Sequence, residues 1–81
     1  MNAYTVLLFG ITKDFIGEKS IQIEIEGKIT AGGFLKLVKE RYPALNNIPS
    51  VRLAAEHQFP TDEFELDPRM EIALIPPVSG G

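Results

Sequence analysis

An α+β fold is predicted for this 81-residue chain: one mixed sheet with a single main helix across one face, followed by an extended tail. Three observations point there. Ile21, Ile23 and Ile25 alternate with Gln22, Glu24 and Glu26, the period-two pattern of a strand with one apolar and one wet face. Phe34, Leu37, Val38 and Tyr42 recur at i, i+3, i+4 and i+8, the stripe of an amphipathic helix. The runs Tyr4 to Phe9 and Glu71 to Ile75 are the most apolar in the chain and read as the centre of the sheet.

Taken in order, Tyr4 to Phe9 is β-branched and aromatic and makes the first strand. Gly10 and Gly17 bracket the connection to the second. That connection carries Ile11, Phe15 and Ile16 and is expected to be a long hairpin loop with some burial of its own. Gly27-Lys28 closes the second strand. Thr30 then stands where its hydroxyl can accept a first-turn amide, so the helix is expected over Ala31 to Arg41, stopped by Pro43. Gly32-Gly33 weakens its first turn by about 1 kcal/mol per glycine relative to alanine, and packing must hold that end. A loop with Asn46-Asn47 and Pro49 leads to a third strand at Val51 to Ala55. Between Asp62 and Asp67, Phe64 and Leu66 alternate with acids, predicting a short extended or turn segment with two core anchors. The near-continuous apolar character of Glu71 to Ile75 predicts a last strand that is central and covered on both faces. Two strands, a crossover helix and further strands, with the first and last parallel at the centre, make the β-grasp, or ubiquitin-like, architecture. Residues 1–75 are expected to form that domain and 76–81 a flexible C-terminal tail.

Composition excludes several classes of function. With no cysteine there is no disulfide, zinc–thiolate site, iron–sulfur cluster or cysteine nucleophile. A net charge of −3 and an isoelectric point near 5.0 leave no cluster of Lys and Arg for nucleic acid. The N-terminus has no basic n-region or cleavage signature, and Val6 to Phe9 is too short for a signal core or a membrane span; a cytoplasmic location is expected.

The side chains that usually carry chemistry are sparse. His57, in Glu56-His57-Gln58, has no second His or Cys to complete a metal site and reads as an exposed loop residue. Asp62, Glu63, Glu65 and Asp67 lack the glycine and the ligand spacing of a calcium loop, so they read as a solvated edge and no metal is expected. Gly32-Gly33 has neither the GxGxxG spacing nor the Walker lysine. No Ser/His/Asp set is evident, and the chain is expected to have no active site of its own.

The tail remains. Pro76 and Pro77 remove two amide donors and fix φ, so the sheet stops and the chain leaves it extended. From Pro76 onward it reaches at most about 20 Å. Val78 could anchor in a pocket, and Ser79, Gly80 and Gly81 taper to a width that suits a channel too narrow for a Cβ. Its reactive group would be the Gly81 α-carboxylate, which is ionised at neutral pH and inert until activated, for instance as a mixed anhydride with AMP. A frayed terminus is the alternative, and both readings stand on physics alone.

Across essentially the whole chain, the sequence resembles the MoaD family, the small subunits of molybdopterin synthase within the MoaD/ThiS group of sulfur carriers. The resemblance runs through VLLF at Val6 to Phe9, GITKDFIG after it, the helix segment AGGFLKLVKERYP following Thr30, VRLAA at Val51 to Ala55, and above all the ending EIALIPPVSGG. It implies a sulfur donor whose Gly81 is adenylated by an E1-like enzyme using ATP, converted to a thiocarboxylate and inserted into the large subunit. There it would give sulfur to cyclic pyranopterin monophosphate in molybdenum cofactor biosynthesis. It further implies a heterotetramer with the large subunit, an inserted tail of Pro76, Pro77, Val78, Ser79, Gly80 and Gly81, partner contacts through Phe9, Lys13 and Ile75, and no cofactor bound by this chain. Three departures stand out. Lys13 replaces a common arginine, Glu56 a usual asparagine, and Pro68-Arg69-Met70 a common Asp-Gly-Asp turn. A carrier for thiamine or another pathway, a ubiquitin-like modifier and a plain interaction module are the alternatives.

Overall fold

The structure, a computed structural model, describes residues 1–77. Along the chain come β1 (Asn2–Leu8), α1 (Gly10–Ile16), β2 (Ser20–Ile25), β3 (Ile29–Thr30), α2 (Ala31–Arg41), a 3-10 helix (Pro43–Asn47), β4 (Arg52–Ala55), β5 (Glu65–Leu66) and β6 (Ile72–Ile75). Four strands make one mixed sheet in the order β2-β1-β6-β4, and β3 pairs with β5 in a small ribbon. At the centre β1 and β6 run parallel, Val6, Leu7 and Leu8 standing opposite Ile72, Ala73 and Leu74. β2 and β4 flank them antiparallel. This is the β-grasp arrangement that the strand pattern predicts.

Alternation decides which strand residues enter the core. Tyr4, Val6, Leu8, Ile21, Ile23, Leu53, Ile72 and Leu74 are buried in one cluster with Phe34 and Val38 of α2. Each such burial is worth about 1.5–3 kcal/mol relative to exposure. The glycine-weakened first turn of α2 is held from two sides. Thr30 Oγ1 accepts the Gly33 N–H at 3.2 Å, and the carbonyls of Phe64 and Asp62 accept from Ala31 and Gly32 at 2.7 and 3.0 Å. The approach is close enough that a Cβ on Gly32 would sit 2.9 Å from Asp62 Cβ.

Tyr4 is fully buried, its ring centroid 5.4 Å from that of Phe34. Its hydroxyl has no hydrogen-bond partner among the described residues, and burial, reinforced by the charges of Asp67 and Glu65, pushes its pKa up. Because an unpaired buried hydroxyl destabilises the native state, Tyr4→Phe should raise stability by about 1 kcal/mol. Urea denaturation checks this, and a clear loss of stability would mean that the hydroxyl is satisfied in solution.

Four sequence-based expectations are corrected. The Gly10–Gly17 connection is not a loop but contains helix α1. Phe9 takes an extended N-cap conformation, φ −127° and ψ 151°, and the buried Thr12 hydroxyl accepts the Phe9 N–H at 3.1 Å while donating to the Phe9 carbonyl. Gly17, at φ 84°, ends the helix in the left-handed region that glycine adopts without strain. The Asn46-Asn47 stretch is the end of the 3-10 helix, anchored by buried Leu45. Phe64 is 41% exposed, so Leu66 alone anchors that segment, and Phe64 contributes its carbonyl to α2. Finally, β6 is central, but its second face lines an open groove, described next.

Candidate functional site

On the face of the sheet opposite the core, Leu7, Ala73 and Ile75 alternate with the core residues of β1 and β6, and Ala54 of β4 lies opposite Ala73. Side by side, the two alanines leave a low floor. Phe9 and Phe59, both 49% exposed, belong to the same apolar hollow of about 360 Å³, with His57 and Glu71 on its margin. Arg52 carries its guanidinium 3.8 Å over the Phe59 ring, a cation–π contact that fixes this wall. His57 Nε2 lies 3.1 Å from Glu71 Oε1. An apolar centre with aromatic anchors and a polar rim is the anatomy of a protein-docking surface.

The margin next to β4 is built by a turn with an uncommon backbone. Glu56 and His57 both have positive φ, 51° and 66°, and Ala55 and Gln58 exchange two backbone hydrogen bonds at 2.8 and 3.1 Å. Asparagine tolerates this left-handed geometry better than glutamate, so Glu56 costs the turn about 1 kcal/mol. The resulting turn aims His57 at the groove. The Asp67 to Met70 turn before β6 solves its own departure differently. Asp67 Oδ1 accepts the Arg69 N–H at 2.8 Å, and its carboxylate takes a two-pronged contact from the Arg69 guanidinium. That contact holds the Asp67 pKa down at about 2.

The tail root lies at one end of the groove. Ile75 ends β6 half-buried, and the Pro76 ring packs beside Gly10, whose missing Cβ would be 3.1 Å from Pro76 Cγ. Pro77 is exposed. Of the residues singled out in the sequence, Phe9 and Ile75 come together in the groove, while Lys13 is exposed on α1 beside a shallow hollow that it shares with Phe9, Gly10 and Lys19. Val78, Ser79, Gly80 and Gly81 lie outside the described residues. Sequence reasoning missed Leu7, Ala54, Phe59 and Ala73, because their meeting depends on strand register. Among the described residues no group of His, Asp or Glu could hold a metal ion, and no helix is long and apolar enough to cross a membrane.

A family model described as the ThiS family matches residues 6–81. The chain is 36% identical to a protein of Caenorhabditis briggsae called molybdopterin synthase sulfur carrier subunit, over 100% of both chains. It is 33% identical to a protein of the same name from Dictyostelium discoideum, over 99% of this chain and 98% of the relative. Among solved structures it is similar to SAMP1 from Haloferax volcanii, with a TM-score of 0.81, 22% identity and coverage of 98% and 99% of the two chains. It is also similar to small archaeal modifier protein 1 of Methanosarcina acetivorans, with a TM-score of 0.76, 22% identity and coverage of 100% and 98%. At those identities the structural likeness shows the β-grasp fold and nothing finer.

Proposed function

The chain belongs to the ThiS family, and from that premise we propose that it is the sulfur-carrier subunit of a molybdopterin synthase, a β-grasp domain of residues 1–75 presenting residues 76–81 as its working tail. The observation that carries this reading is the end-to-end match to relatives of that name, joined to the segment Pro76-Pro77-Val78-Ser79-Gly80-Gly81 that directly follows the central strand.

The chemistry begins at the Gly81 carboxylate. As an anion it resists attack, so an E1-like enzyme joins it to the α-phosphate of ATP and releases pyrophosphate. A sulfur nucleophile then attacks the acyl carbon, a C–S bond forms, and AMP leaves with the C–O bonding pair. Glycine suits the step because its α-carbon carries no side chain to crowd the attacked carbonyl. The thiocarboxylate next enters the large subunit, where its sulfur passes to cyclic pyranopterin monophosphate and the Gly81 carboxylate is regenerated by hydrolysis. Throughout, this chain's part is to dock, to point and to carry. The groove of Leu7, Phe9, Phe59 and Ile75 supplies the docking surface, and Pro76 and Pro77 direct the tail off the central strand at one end of that groove.

The test is single-turnover transfer. Two equivalents of thiocarboxylated chain per cyclic pyranopterin monophosphate, with the genomic large subunit, should yield molybdopterin, whose dithiolene takes one sulfur from each. If the thiocarboxylated chain binds no such subunit, or the pyranopterin stays unconverted beside an active complex, the pathway assignment falls and a carrier for thiamine or another product takes its place.

A further inference from the structure

The cations at the two ends of the sheet differ in whether they are paired. At the tail end stand Lys13 on α1, Lys19, whose carbonyl accepts the Leu8 N–H at 2.9 Å, and Arg52, opposite Ile75 in the β4–β6 register. All three are exposed, and none forms an ion pair with a carboxylate among the described residues. The acids nearest in sequence to the two lysines, Asp14 and Glu18, pair with neither. At the opposite end the two cations are already engaged, Lys28 with Glu65 at 3.4 Å and Arg69 with Asp67 at 3.0 Å. Glu24, opposite Ala3 at the start of β1, and Glu26, one residue past the end of β2, add charge there with no counter-ion among the described residues. Lys36, Lys39 and Arg41 on α2 also lack an ion pair among the described residues, so of the six unpaired cations in this chain of net charge −3, three stand around the root of the tail and three on the helix.

We propose that Lys13, Lys19 and Arg52 form a cationic collar that docks on a carboxylate-rimmed channel mouth of the large subunit and turns the carrier tail-first during approach. The proposal rests on the sulfur-carrier reading and adds the partner's surface chemistry to it. Two of the collar residues flank the hydrophobic groove directly: Lys13 shares a hollow with Phe9, and Arg52 stacks on Phe59. The same approach thus seats apolar and charged contacts together. Exposed charges of this kind add little to final affinity, because water screens them. They act on encounter, where a complementary potential raises association rates ten- to a thousand-fold and is felt across about 10 Å at 0.1 M salt.

Stopped-flow association with the large subunit, at low and at physiological salt, tests the collar. The native chain should associate more slowly as salt rises. Lys13→Glu/Lys19→Glu/Arg52→Glu should slow low-salt association at least tenfold and abolish or invert that salt dependence, with dissociation changed much less. The milder Lys13→Gln/Lys19→Gln/Arg52→Gln should fall between, guarding against a misfolded variant, and Glu24→Gln/Glu26→Gln at the far end should stay within twofold of native. A native rate independent of salt, or charge reversal without effect, overturns the collar and leaves the carrier reading intact. A native chain that does not bind the large subunit overturns both.

Discussion

Removing Gly81 should stop sulfur transfer without weakening the fold. The shortened chain still ends in a glycine carboxylate, at Gly80, so the chemical group survives and only its position changes. One residue is about 3.3 Å of reach, and displacement of a reacting atom by even 1 Å costs about a hundredfold in rate. Transfer to the pyranopterin should therefore fall by more than a hundredfold. Stability should move by less than about 0.5 kcal/mol, since the lost residue has no side chain to bury. Single-turnover kinetics and thermal melting, made on the same preparation, check both halves. Transfer at the native rate would show that the tail end is not held in a fixed channel.

Phe9→Ser separates docking from folding. Phe9 is at once the half-exposed aromatic of the groove and the N-cap of α1, where it provides no side-chain hydrogen bond to the helix. Serine at an N-cap accepts a first-turn amide and typically stabilises the helix by about 1 kcal/mol. The melting temperature should therefore hold or rise. The groove meanwhile loses one of its two aromatic anchors, and truncating such a residue costs about 2–4 kcal/mol of binding, a loss of roughly 30- to 1000-fold in affinity for the large subunit. Calorimetric titration reads the affinity. Unchanged binding would remove the groove from the interface.

How far the sequence disclosed this molecule differs from element to element. Helix α2 was readable to its ends, because the apolar stripe from Phe34 to Tyr42, the Thr30 cap and Pro43 all agree. The parallel centre of the sheet was readable from the two most apolar runs. Helix α1 was hidden: Ile11, Thr12 and Ile16 are β-branched and poor helix formers, glycines stand at both ends, and the organising bond runs from Thr12 back to the Phe9 backbone. A threonine three residues after Phe9 was the local signal. Phe64 misled because alternation with acids marks one apolar face but does not say whether that face is covered.

The same limit governed the candidate site. β6 reads as buried on both faces because its sequence is apolar on both, and apolar character is common to a core and to a docking groove. What distinguishes them here is the low floor of Ala54 beside Ala73, and that pairing exists only in the β4–β6 register. The Glu56 and Asp67 turns likewise needed coordinates, since one accommodates its unusual residue in a left-handed conformation and the other through a carboxylate–guanidinium contact. At the root of the tail, Pro76 and Pro77 restrict φ through covalent structure, independently of tertiary contacts; Val78 to Gly81 lie outside the described residues.

The most direct measurement is the intact mass of this chain after co-expression with its E1-like activating enzyme and a sulfur source. The sulfur-carrier account predicts a species in which one oxygen is replaced by sulfur, localised by fragmentation to Gly81 and lost on hydrolysis. An unmodified chain beside an enzyme shown to form the acyl-adenylate, or sulfur found on any other residue, would contradict it.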